Sequence, residues 1–109
     1  MLKAEAQEVM RQYLRPYSPK CQQVIADLTE DARDALEYAY SENLGGYDYM
    51  VAIARADNIT DAISAIDDGD IEDIIDDRHL GTHVVTAVAR RLGLSHKERQ
   101  AMETALWDN

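Results

Sequence analysis

Apolar residues recur along this chain at three- and four-residue intervals, the spacing of amphipathic helices, and no stretch alternates as a strand would. Leu2, Ala6, Val9, Met10 and Tyr13 share one face of a first helix, which must stop near Arg15-Pro16. Ser18 caps a second, with Pro19 at its first position where a missing N–H costs nothing, and Cys21, Val24, Ile25 and Leu28 form its stripe. Thr29 is expected to cap a third, with Glu30 and Asp31 in the favourable first turn. Its stripe is Ala32, Ala35, Leu36, Ala39 and Tyr40, and Gly45-Gly46 ends it. A fourth runs from about Tyr47 to Ala56 with Met50, Ile53 and Ala54 inward; Thr60 caps a short fifth carrying Ile59, Ile63 and Ile66, ended by Gly69. Ile71, Ile74 and Ile75 give a sixth of a turn or two. Leu80-Gly81 interrupts before a seventh, marked by Val84, Val85, Val88 and Leu92 and stopped by Gly93. Ser95 with Glu98 is a capping box that opens the last helix, with Met102, Ala105 and Leu106 inward. The expected fold is all-α, a compact single-domain bundle of seven to eight short helices spanning residues 1–109.

Composition narrows this picture. The chain has the length of one domain and 46% hydrophobic residues, which argues against disorder. With no Phe and one Trp, its core must come from aliphatic residues, Ala, Met and some of the six Tyr. The single cysteine, Cys21, excludes an internal disulfide and any cysteine zinc site, and its place on an apolar stripe predicts a buried thiol. The N-terminal MLKAEAQEVMRQYL carries acids and polar residues where a signal peptide needs an apolar run, and no stretch approaches the ~20 apolar residues of a membrane span. A cytoplasmic location with no membrane partner is expected. An acidic surface is also repelled by anionic lipid.

Charge changes the picture most. Residues 27–77 hold sixteen acids against two bases, Arg33 and Arg55, a net −14, while the flanking segments are each +2, giving −10 overall. The run Asp67, Asp68, Asp70, Glu72, Asp73, Asp76 and Asp77 contains no base, and three isoleucines claim its buried face, so the acids are forced outward. Like charges at i,i+4, Glu72/Asp76 and Asp73/Asp77, each destabilise a helix by roughly 0.2–0.5 kcal/mol. A surface shaped only for solubility mixes both signs.

Three accounts compete for this segment. A solvated face is the plainest. A calcium loop of the EF-hand kind fails on register: with Gly69 sixth, Ser64 stands first, Ile66 third and Ile75 twelfth, where oxygen ligands belong. The third is imitation of nucleic acid. Carboxylates at i,i+3 and i,i+4 stand ~5–6 Å apart, and duplex DNA presents one charge per ~1.7 Å of axis, so a rigid carboxylate array fits a Lys/Arg-lined groove and steers itself there. Tyr38, Tyr40, Tyr47 and Tyr49 supply candidate interface anchors, with partial core burial expected for Tyr40 and Tyr47. In charge and size the chain resembles the small acidic inhibitors of phages and mobile elements, the anti-CRISPR and antirestriction proteins that act as DNA mimics; the resemblance covers composition and the acidic block.

Residues 82–107 resemble a helix-turn-helix, with Ala89 four before the turn Gly93 and apolar residues at Val88, Leu92, Leu94 and Met102. Arg99 departs from the pattern, standing where an aliphatic side chain is usual. A DNA-binding motif here would aim His96, Lys97 and Gln100 at the groove, with Arg90 and Arg91 near phosphates. There is no phosphate loop, dinucleotide fingerprint or nucleophile elbow. Asp76, His79 and His83 have metal-ligand spacing, but Gly81 weakens a continuous helix there. The expectation is a non-enzymatic binding protein without cofactor or metal, whose partner is a basic nucleic-acid-handling protein or complex rather than nucleic acid itself. Asp61, Asp67, Asp68, Asp70, Glu72, Asp73, Asp76, Asp77 and Tyr49 are the candidate partner-binding residues. A small helix-turn-helix DNA-binding regulator, or a structural or assembly accessory protein, are the alternatives.

Overall fold

Thr29 and Thr60 sit in the middle of continuous helices rather than at their starts. Thr29 Oγ1 donates to the Ile25 carbonyl at 2.8 Å and Thr60 Oγ1 to the Ala56 carbonyl at 2.9 Å. A threonine inside a helix bonds back in this way instead of capping. Four of the expected short helices therefore fuse into two long ones. The computed structural model describes residues 1–41 and 43–108. Among these there are six helices and no strand: α1 (Lys3–Tyr13), α2 (Pro19–Ser41), α3 (Gly46–Asp67), α4 (Ile71–Asp76), α5 (Arg78–Leu92) and α6 (His96–Trp107). Glu42, counted in the acidic block, and Asn109 lie outside the described residues. The all-α class stands, and seven to eight elements become six.

Other termini fall where the sequence puts them. Ser18 Oγ accepts the Cys21 N–H at 3.1 Å ahead of Pro19. Ser95 and Glu98 form the reciprocal capping box, with bonds of 3.1 and 3.0 Å. Gly69 and Gly93 hold positive φ of 78° and 70°. That conformation lets Asp70 N–H reach the Ala65 carbonyl and Leu94 N–H the Ala89 carbonyl, closing α3 and α5. Gly81 does not interrupt a helix; it lies buried inside α5.

The core gathers Met10, Leu14, Val24, Leu28, Ile59, Ile74, Ile75, Val84, Val85, Val88 and Met102, all essentially buried. Helix α5 lies at its centre and packs against all five other helices. Cys21 is buried as expected. The main core stops at Ala32 on α2 and Ile59 on α3. Beyond that level only alanines are buried, Ala35 and Ala39 on α2 and Ala52 and Ala56 on α3. Their small side chains let the two backbones approach, but each methyl contributes only about 0.8 kcal/mol, against ~1.5–3 for a buried Leu or Ile. The distal halves of α2 and α3 thus form a two-helix arm, in a molecule 43 Å in its longest dimension. Met50, expected inward, is 69% exposed there, and Ala54 faces out as well. Leu2, Leu36 and Leu92, also assigned to buried stripes, are exposed. Among the described residues no helix is long and apolar enough to cross a membrane.

Candidate acidic interface

The acids from Asp67 to Asp77 run from the last residue of α3 through a turn and the short α4 to the single residue that precedes α5. Six residues are too few for α4 to stand on helix propensity. It is held by full burial of Ile74 and Ile75, by Trp107 Nε1 donating to the Ile75 carbonyl at 2.8 Å, and by Arg11. The Arg11 guanidinium grips Glu72 with bonds of 2.8 and 3.2 Å, a contact that holds the Glu72 carboxyl below its ordinary pKa. With the isoleucines inward, Asp67, Asp68, Asp70, Glu72, Asp73, Asp76 and Asp77 are all exposed. Two of the seven have structural partners. Glu72 is tied to Arg11, and Asp77 caps α5 by accepting the His79 N–H at 2.8 Å. Asp67, Asp68, Asp70, Asp73 and Asp76 make no ion pair or side-chain hydrogen bond among the described residues. Asp67 also helps raise the pKa of the Cys21 thiol, after burial, the larger cause.

Asp61 joins this ridge and Tyr49 does not. Asp57 and Asp61 stand exposed at i,i+4 on α3, and Asp68, the residue that caps its end, follows at the same helical phase, so the line of carboxylates continues up that helix. Tyr49 stands eighteen positions before Asp67 on the same helix, about 27 Å away at 1.5 Å per residue. It belongs to the arm, where its ring meets that of Tyr40 edge-on at 5.8 Å between centroids.

The arm tip carries the four tyrosines named as candidate interface anchors, together with apolar residues that periodicity does not place outside. Leu36, Tyr38, Tyr40, Tyr47, Tyr49, Met50 and Val51 are all exposed there. Tyr40 and Tyr47, expected to be partly buried in the core, are 70% and 80% exposed. Residues 47–54 are apolar or aromatic at every position except Asp48, so no polar face told which side turns inward. On one flank a groove of about 450 Å3 is lined by Asp31, Asp34, Ala35, Tyr38, Asp48, Val51, Ala52 and Arg55.

The C-terminal hairpin has the expected helices and turn, with His96, Lys97 and Gln100 exposed. Its cations are largely spoken for. Arg91 makes two bonds to Asp27, at 2.7 and 2.9 Å, and Arg90 reaches Asp31 at 3.3 Å. Arg99 is half-buried against Thr86, His96 and Glu103. His79 and His83 share α5, but His79 Nε2 faces Asn58 Oδ1 at 3.1 Å, and among the described residues no three His, Cys, Asp or Glu side chains converge as a metal site needs.

No family model, curated protein or solved structure matches this chain, so its function is read from the chemistry of these surfaces alone.

Proposed function

We propose that this chain is a non-enzymatic binding protein of the cytoplasm that occludes the basic, nucleic-acid-binding surface of a partner protein, as DNA-mimic inhibitors of the anti-CRISPR and antirestriction type do. One observation carries the reading. Between residues 67 and 76, five exposed carboxylates form no ion pair among the described residues, on a backbone pinned by Ile74, Ile75 and the Trp107 hydrogen bond. A fixed array of unpaired charge loses little side-chain and backbone freedom on meeting a complementary surface. The helix-turn-helix alternative is weakened by the same ion pairs: Arg90 and Arg91, its candidate phosphate contacts, already bind Asp31 and Asp27.

The test is capture of partners from nuclease-treated lysate, followed by a DNA-binding assay of the captured protein. The expected result is loss of its DNA binding when this chain is added, with an inhibitory affinity that falls as salt rises. Charge reversal at Asp68, Asp73 and Asp76 together should weaken inhibition by about tenfold or more. Glu72 and Asp77 are left intact because they hold α1 and cap α5. Inhibition unchanged in this triple variant sinks the reading.

A further inference from the structure

We propose that the distal groove between α2 and α3 is a docking site for a basic amphipathic helix of the partner, which places an apolar side chain over Ala35, Val51 and Ala52 and a Lys or Arg over Asp34 and Asp48. The inference rests on the reading above for the basic character of the partner and adds a second contact surface, remote from the acidic ridge.

The molecule already contains one instance of this docking. Asp27, Asp31, Asp34 and Tyr38 recur at i, i+4, i+7 and i+11, a single stripe along α2. Helix α5 lies against α2 and α3 at the proximal end of that stripe. There it seats two bases on the first two acids, Arg91 on Asp27 and Arg90 on Asp31. Past Asp31 the stripe continues to an acid that α5 does not pair. Asp34, and Asp48 facing the same groove from α3, have no side-chain hydrogen bond or ion pair among the described residues. Between them lie exposed Tyr38 and Val51 over an alanine floor. An apolar strip edged by acids is what a helix with one apolar face and flanking bases recognises. A second copy of a chain carrying −10 is the poorer match for the same acids. Arg55 also lines the groove and repels a basic occupant, so its removal should tighten binding.

The test uses the full chain and a synthetic helical peptide of about 18 residues, five turns, built from Leu, Ala and Lys with the leucines on one face, beside the same peptide with Glu for Lys. Amide chemical shifts read where it binds. The expected result is saturable binding of the Lys peptide only, with perturbations centred on Ala35, Tyr38, Val51 and Ala52. Asp34→Lys with Asp48→Lys should weaken it by about tenfold, and Arg55→Ala should tighten it severalfold, while Asp73→Lys with Asp76→Lys changes it less than about twofold, these being order-of-magnitude effects of contact against remote charges. Perturbations centred on α4, insensitivity to the Asp34/Asp48 pair, or no binding of the Lys peptide each overturn the docking site. They leave the ridge to be judged by the DNA-binding assay with its own triple variant. A dimer in sedimentation that Val51→Glu disperses would give the groove to a second copy and overturn the proposal as well.

Discussion

The indole of Trp107 lies so close to Gly81 that a Cβ at residue 81 would stand 2.5 Å from its Cζ2 atom and 2.5 Å from the Ile74 carbonyl oxygen. The glycine is what allows α5, α4 and the end of α6 to meet, with the Trp107 N–H reaching the Ile75 carbonyl beside it. Helix propensity alone makes Gly81→Ala stabilising by about 1 kcal/mol. The contact opposes it, and overpacking of this kind costs about 1–3 kcal/mol. Gly81→Ala should therefore lower the melting temperature, and Gly81→Ala combined with Trp107→Leu should recover part of the loss. A variant that melts higher than the parent would show that the contact does not constrain the fold.

Two bidentate ion pairs tie distant segments, and solvent should separate their strengths. Arg91 with Asp27 leaves the acid side chain 16% exposed, whereas Arg11 with Glu72 leaves it 62% exposed. Water screens the second pair more. Double-mutant cycles in denaturant melts should give Arg91–Asp27 the larger coupling, and the Arg11–Glu72 coupling should fade first as salt rises. Equal couplings would mean that both pairs are screened alike.

His83 should make stability depend on pH near neutrality. Burial first, then the charges of Arg55 and His79, lower its pKa, with Asp31 acting in the opposite direction. The unfolded chain takes up this proton near 6.5 and the folded chain only at lower pH. Stability from this group is therefore complete above 6.5, falls as pH drops through 6.5 towards the folded value, and levels off below it. His83→Gln should remove that step from the pH profile of unfolding. Arg55→Ala should move the imidazole pKa back up, read directly by NMR titration. A His83 that titrates at or above 6.5 in the folded chain contradicts this account.

What could be read in advance was local. The capping box of Ser95 and Glu98, the Ser18-Pro19 start and the glycine ends at Gly69 and Gly93 depend on residues within one turn of each other, so spacing alone identifies them. The outward acids were legible for the same reason. Ile71, Ile74 and Ile75 leave one face for the core, and Asp67 to Asp77 take what remains.

The misreadings came where one residue type serves two local structures. Thr29 and Thr60 are good caps, yet within a helix the same hydroxyls bond back to Ile25 and Ala56, and only packing along the whole of α2 and α3 chooses between the two. Residues 47–54 offer almost no polar contrast, so periodicity alone turns Met50 and Ala54 inward; the inward side there is fixed by which face of α3 meets α2, where Ala35 and Ala39 are buried.

Sequence by itself determined the all-α class, most helix ends, the buried cysteine and the exposure of the acidic run, since capping, periodicity and charge exclusion act over a few residues. Tertiary structure alone decided which acids are free and which are used. Asp27 and Asp31 look no different in sequence from Asp34, but α5 folds back across sixty-four positions to put Arg91 on Asp27 and across fifty-nine to put Arg90 on Asp31, and leaves Asp34 unpaired among the described residues. Whether a carboxylate is an internal ion-pair partner or a surface for another molecule depends on where a distant cation comes to rest, and only the packing of the whole chain sets that.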